Sequence, residues 1–208
     1  MKFKNIIFDG SGVIKDALCA HLWVVNKMIV DLGGNEISIE EFKQKWEEPY
    51  INFWNHYYPE LTHEKEHELY SKFILSKECP ASNATTGIID LIKKLKEEGV
   101  YMVVLSSDFP ETVLPEIKRF SLENIFAEVI TLVHDKKERI AELIDSHNLK
   151  LEETIFVGDS ANEVRAGKSV GIKTLSVTWG LYSEEKLKLS EPDYLVHNIK
   201  ELEEILLA

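Results

Sequence analysis

Two short apolar runs in this chain each end on an acid. Asn5–Phe8 leads into Asp9-Gly10-Ser11-Gly12-Val13, and residues 154–157 lead into Gly158-Asp159-Ser160-Ala161-Asn162-Glu163. Neither run alternates with polar residues, which is how strands buried on both faces of a parallel sheet read. In open α/β sheets, ligands bind beyond the carboxyl ends of the strands. If these two strands are neighbours, Asp9 and Asp159 point into one crevice although they lie 150 residues apart in sequence. Two such acids repel each other and need a compensating charge. Mg²⁺ supplies it, accepting one or two carboxylates together with waters and substrate phosphate oxygens. The glycines flanking Ser11 let the backbone turn sharply toward a ligand.

Three further apolar runs, at residues 100–105, 128–132 and 173–177, have the same character. Helical periodicity lies between them. Residues 86–98 place Ile88, Ile89, Leu91, Ile92 and Leu95 on one side and stop at Gly99. Residues 111–120, Lys136–His147, residues 162–170 and residues 199–207 give four more helices. Strands alternating with helices predict right-handed βαβ units. Between about Lys15 and Pro80 no strand run appears; Ser38 and Thr62 open helical stretches there. The expected fold is therefore α/β, a Rossmann-like parallel sheet built from residues 1–14 and 81–208. An all-helical domain of residues 15–80 is inserted after strand one.

Composition narrows the class. Of 208 residues, 44% are hydrophobic, enough for a packed core, and the net charge is −12. Such a surface repels phosphate backbones, so no nucleic-acid partner is expected. The two cysteines, Cys19 and Cys79, make neither a disulfide framework nor a zinc spacing. The N-terminal segment has neither a signal-peptide nor an anchor pattern, and no apolar stretch spans a bilayer. The expectation is a cytoplasmic protein with no membrane partner.

Other residues bear on chemistry. Ser106 and Ser107 follow the run at 100–105, where a hydroxyl and nearby backbone N–H groups suit a phosphate oxygen, or cap the helix beyond Asp108. Asp135 reads as an N-cap with Glu138 as its capping-box partner. Lys136 and Lys137 then fall in the first helical turn, where the macrodipole disfavours a cation. Pairing with a carboxylate or a substrate phosphate explains one of them, with Lys136 preferred. Trp46, Tyr50, Phe53, Trp54, Tyr57 and Tyr58 crowd into 13 residues. They read as the core of the helical insert rather than a substrate-facing surface. His134, the histidine nearest these motifs in sequence, reads as incidental.

In this order, the elements resemble the haloacid dehalogenase superfamily, mostly Mg²⁺-dependent phosphatases. The first family motif, a strand followed by D-x-D-G-[TV], is matched by Ile6-Ile7-Phe8-Asp9-Gly10-Ser11-Gly12-Val13; Ser106 matches the second and Lys136 the third. The fourth, G-D-x-x-x-D, is matched by Gly158-Asp159-Ser160-Ala161-Asn162-Glu163. Val177-Thr178-Trp179-Gly180 and Pro192-Asp193-Tyr194 resemble the phosphoglycolate phosphatase-like branch, whose cap domain sits where the helical insert does. The resemblance implies that Asp9 is a nucleophile forming an aspartyl-phosphate. It implies Mg²⁺ on Asp9, the Ser11 carbonyl and Asp159, with Glu163 supporting the shell. Ser106 and Lys136 would hold the phosphoryl group of a small phosphorylated metabolite.

Two positions depart from the pattern. The family's phosphatases carry a second Asp two residues after the nucleophile, as acid for the leaving group and base for water; here Ser11 stands there. General acid–base help is worth about 10²–10⁴-fold, so turnover of ordinary esters is expected to be weak. Glu163 replaces the final Asp of the fourth motif. Three activities fit the sequence: a phosphatase, a phosphonatase- or dehalogenase-type hydrolase acting through Asp9, and a Mg²⁺- and phosphate-binding member without turnover. Phosphonate cleavage calls for a cap lysine, for which Lys43 and Lys45 are available.

Overall fold

The computed structural model describes residues 2–47, 49–133 and 135–208; His134 lies outside them. Six parallel strands form the main sheet: β1 (Asn5–Phe8), β4 (Tyr101–Leu105), β5 (Glu128–Ile130), β6 (Thr154–Gly158), β7 (Lys173–Val177) and β8 (Tyr194–Val196). Their order is β5-β4-β1-β6-β7-β8. β1 pairs with β4 on one side and β6 on the other, with Phe8 level with Val104 and Val157. The two acid-bearing strands are thus neighbours, the condition under which Asp9 and Asp159 share one crevice. The strand order reverses at β1, so the crevice above its carboxyl end is the place where this topology receives ligands.

Helices cover both faces: α5 (Ile88–Glu97), α6 (Pro110–Arg119), α7 (Lys136–His147), α8 (Ala161–Val170), α9 (Glu184–Leu189) and α10 (Ile199–Leu206). On one face Ile6, Phe8, Val104 and Val157 pack with Ile88, Ile92 and Leu202; on the other Ile7, Val103 and Phe156 pack with Ile140 and Leu143. Every β1 residue is buried, which is why the run carried no alternation. Edge strand β8 was not expected as a strand. Its three residues are half-buried or buried, too short for a period to show.

The segment after strand one is helical: α1 (Leu18–Asp31), α2 (Ile39–Lys45), α3 (Tyr50–Asn55) and α4 (His63–Ile74). The Ser38 and Thr62 side chains cap α2 and α4, accepting from the Glu41 and Lys65 N–H groups. Phe42, Trp46, Phe53 and Trp54 are buried with Val24, Met28 and Leu69, so the aromatic cluster is chiefly core. Burying each such side chain stabilises by about 1.5–3 kcal/mol. One expectation needs correcting, because two short strands bracket this segment. β2 (Lys15–Asp16) and β3 (Asn83–Ala84) form an antiparallel pair where the chain leaves and re-enters the sheet region. Two-residue strands leave no periodic trace in a sequence.

Candidate active site

Asp9 ends β1, and its N–H donates to the Val157 carbonyl at 2.9 Å, pinning the two strand ends together. The chain then folds back on itself. Ile14 and Lys15 N–H groups both donate to the Gly10 carbonyl, at 3.0 and 3.1 Å. Gly12 adopts φ +79° where any Cβ would overlap the Asp159 carboxylate, so this turn accepts glycine alone. Gly180, in the loop after β7, approaches Asp159 just as closely. Asp159 Oδ2 accepts from the Leu181 N–H at 2.6 Å. Asp9, Asp159 and Glu163 are all buried.

Lys136 joins these groups. Asp135 caps α7 by accepting from the N–H groups of Lys137 and Glu138. That positions Lys136 so that its Nζ donates to Asp9 Oδ1 and to Glu163 Oε1, both at 2.6 Å. Lys136 is buried and Lys137 exposed, so it is Lys136 that reaches the acids. Glu163 Oε2 accepts from the Ser160 N–H at 2.7 Å while Ser160 caps α8, a reciprocal capping box. Ser106 is buried at the end of β4; its Oγ accepts from the Asp108 N–H at 3.2 Å, a contact within the turn that does not cap α6, whose N-cap Phe109 has no side-chain hydrogen bond. A small cavity is lined by Asp9, Ser11, Ser106, Ser107, Lys136, Asp159 and Glu163, which brings these seven sequence-nominated residues around one space; Lys137, Lys43 and Lys45 lie outside it.

Sequence reasoning missed a second group of residues beside this one. Ser11 Oγ donates to Asp108 Oδ2 at 2.5 Å, and Lys15 Nζ lies 3.0 Å from the same oxygen and 2.9 Å from Glu116. Burial opposes ionising Asp108, but Lys15, with His21 and the Ser11 hydroxyl, holds its carboxyl well below the usual range. His21, on α1, lines the same cavity as Asp9, and its Nδ1 is 2.9 Å from the Tyr70 hydroxyl. Burial lowers the His21 imidazole to about 4, against the pull of Asp108. Lys15, His21 and Tyr70 belong to no strand-end motif, so only folding discloses them. Asp108, two residues beyond Ser106, was legible but was read as part of the following helix start.

The electrostatics ask for a cation. Burial pushes Asp9 up to about 7, with the Glu163 charge adding and Lys136 opposing. Burial also acts on Glu163, but Lys136 outweighs it and holds that carboxyl low. Lys136 is one positive charge against three buried carboxylates. The donors are oxygens only, a set that suits a hard divalent ion. Among the described residues no three of them converge as a ready-made cage, because the Lys136 ammonium stands between Asp9 and Glu163.

The profile of the haloacid dehalogenase-like hydrolases matches residues 6–177. The chain is 27% identical over 124 residues to the pyrophosphatase PpaX of Halalkalibacterium halodurans, a match spanning 57% of the chain and 58% of that protein. It is 24% identical over 208 residues to a phosphoglycolate phosphatase of Synechococcus elongatus, covering 95% of the chain and 94% of that protein. The crystal structure of a predicted phosphatase from Clostridium acetobutylicum superposes with a TM-score of 0.87 at 20% identity, covering 100% of this chain and 99% of that one. A parallel sheet carrying an inserted helical segment, acids at the ends of adjacent strands and this profile match converge on one conclusion: the chain belongs to the haloacid dehalogenase-like hydrolase family.

Proposed function

We propose that the protein is a Mg²⁺-dependent phosphatase that uses Asp9 as its nucleophile on a small phosphorylated substrate. The observation that carries this is the Lys136 bridge to Asp9 and Glu163. It gathers strand-end and helix-start groups from β1, α7 and α8 around one space, beside Ser106 and Asp159. Asp9 attacks phosphorus, and the ester oxygen leaves with its electron pair. Ser106 and Ser107 hold the phosphoryl oxygens, and Lys136 offsets their charge. Water then releases phosphate from Asp9. Asp9, the Ser11 carbonyl, Asp159 and Glu163 would hold Mg²⁺, which when bound supplies charge neutralisation for the transferring phosphoryl group. We assign the division between residues 15–80 and the remainder as cap and catalytic core, with β2 and β3 at the joint.

Among the described residues, Lys43 and Lys45 do not line the small cavity around Asp9, and Lys45 is paired with Glu41. Nothing therefore favours Schiff-base phosphonate cleavage. The test is thermal unfolding with millimolar Mg²⁺, together with orthophosphate release from an aryl phosphate. The wild type is expected to be stabilised by Mg²⁺ and to turn over only in its presence. Asp159→Ala should lose the stabilisation and Asp9→Asn the turnover. An unshifted wild type, or full turnover by Asp9→Asn, would refute the assignment.

A further inference from the structure

A cleft of about 800 Å³ opens between the helical segment and the sheet. It shares Tyr50, Ser107, Asp108, Lys136 and Glu163 with the small cavity that holds Asp9. The two spaces adjoin along these five residues, so the cleft is the nearest large space for the ester substituent of a phosphoryl group placed over Asp9. Glycolate or a second phosphate would leave most of this volume to water. Cavities of this size hold drug-sized organic ligands.

Beyond the shared residues the wall is mixed: Ile51, Tyr70, Phe109, Leu132 and Ala166 give it apolar and aromatic surface, with charged side chains such as Lys137 and Arg165 among them. Phe109 meets the His67 ring at 5.5 Å, tilted by 45°. Leu132 stands out further. It is 46% exposed at the cleft and takes φ +58°, a left-handed conformation that costs a branched side chain energy. Hydrogen bonds from the Leu132 N–H to the Asp108 carbonyl and from the Val133 N–H to the Ser106 carbonyl, both 3.0 Å, keep it there. An apolar side chain is thereby held on the wall next to Ser106 and Asp108.

A second observation is independent of the first. Ser11 stands where the family's first motif has its second Asp, and its one hydroxyl proton is donated to Asp108. Asp108 is in turn paired with Lys15. This arrangement delivers no proton to a departing oxygen. It suits an oxygen that leaves as a stable anion.

We propose that the substrate is the phosphate ester of an acidic hydroxyl, a phenol or an enol, carried on a flat apolar body of one or two rings that lies against Leu132 and Phe109. This rests on the phosphatase reading of Asp9. The Asp9 carboxylate oxygen bonds to phosphorus as the P–O bond to the ring breaks. The aryl oxide departs with that electron pair and takes its proton from solvent if at all. Water then attacks phosphorus, the bond to Asp9 breaks, and the water proton passes to solvent or product phosphate. A phenol with pKa near 8 needs little protonation to leave, whereas an alkanol needs much. A ring stacked on aromatic neighbours is favoured beyond what its buried area alone gives.

The test separates binding from turnover. On Asp9→Asn with Mg²⁺, calorimetry compares 4-methylumbelliferyl phosphate with acetyl phosphate, two activated phosphates that differ in their apolar body. The umbelliferyl ester is expected to bind at least tenfold more tightly, and Leu132→Asp and Phe109→Ala should each shrink that ratio at least threefold. Should Asp9→Asn not fold, binding of 4-methylumbelliferone to the wild type, read by its fluorescence, gives the same comparison across the two cleft variants. Equal affinities for the two phosphates, or a ratio unmoved by either cleft substitution, would overturn the proposal. Tight umbelliferyl binding without orthophosphate release by the wild type would leave the cleft assignment standing and refute the phosphatase reading instead.

Discussion

Ser11 and Asp108 share one short hydrogen bond where an acid–base carboxyl would be expected in a phosphatase of this family. In the proposed reaction through Asp9 both steps would feel this, because the leaving oxygen would get no proton and the attacking water no base. With an aryl phosphate the first handicap is small and the second remains. The first turnover should therefore release about one equivalent of aryl oxide per site in a burst before a slower steady rate, measurable by stopped flow. Ser11→Asp should diminish the burst and raise alkyl phosphate turnover by about 10–100-fold. The introduced carboxyl would face Asp108, whose charge would raise its pKa and make it a better acid near neutrality. His21 offers a different check. Its imidazole falls from 6.5 in the unfolded chain to about 4 here, chiefly through burial, with Asp108, Lys15 and Tyr70 nearby. The unfolded chain thus binds the proton more readily between those values. The stabilisation conferred by neutral His21 is complete above about pH 6.5 and is lost as pH falls toward 4, by up to about 3 kcal/mol. His21→Gln should lose less stability than the wild type between pH 7 and 4.5 in urea unfolding; parallel losses would contradict this.

At the scale of elements, the site is a set of chain ends packed against one another. β1 and β6 deliver the two acids, α7 delivers Lys136, and the capping box of α8 orients Glu163. The loop after β7 closes over Asp159 by bringing Gly180 and the Leu181 N–H against it. Gly180→Ala should displace that carboxylate, since the added carbon would collide with its Cβ and carboxyl group. Overpacking of this kind costs about 1–3 kcal/mol. The expected outcome is a lower Tm and a smaller Mg²⁺-dependent rise in Tm than in the wild type; an unchanged Mg²⁺ response would show that the loop has no bearing on the proposed metal site.

The whole molecule consists of a sheet layer and a helical segment joined at one short antiparallel pair, Lys15–Asp16 with Asn83–Ala84. Elsewhere the two meet through side chains. Leu181, Tyr182 and Leu187 pack into the aromatic core of the helical segment, and Lys186 Nζ donates to the Trp46 carbonyl at 2.8 Å. A narrow joint beside a wide cleft suits rocking of one part on the other. Addition of Mg²⁺ with an aryl phosphonate analogue should reduce the radius of gyration measured by X-ray scattering. Superimposable profiles would argue for a fixed cleft. No helix among the described residues is long and apolar enough to cross a membrane.

By itself the sequence determined the parallel sheet, the place of the helical segment and the acids at the ends of β1 and β6. Those features are written locally, in apolar runs that end on Asp9 and Asp159 and in caps such as Ser38, Asp135 and Gly171. It also narrowed the site lysine to Lys136 or Lys137, because a cation in a first helical turn is locally unfavourable. Tertiary structure decided the rest. Which lysine turns inward depends on the face α7 presents to the sheet. The Ser11–Asp108–Lys15 group depends on a loop folding back onto the end of β4. His21 and Tyr70 meet only because α1 and α4 pack together above the crevice. Contacts between residues 49 or 97 positions apart leave no period and no cap in a sequence; packing alone creates them.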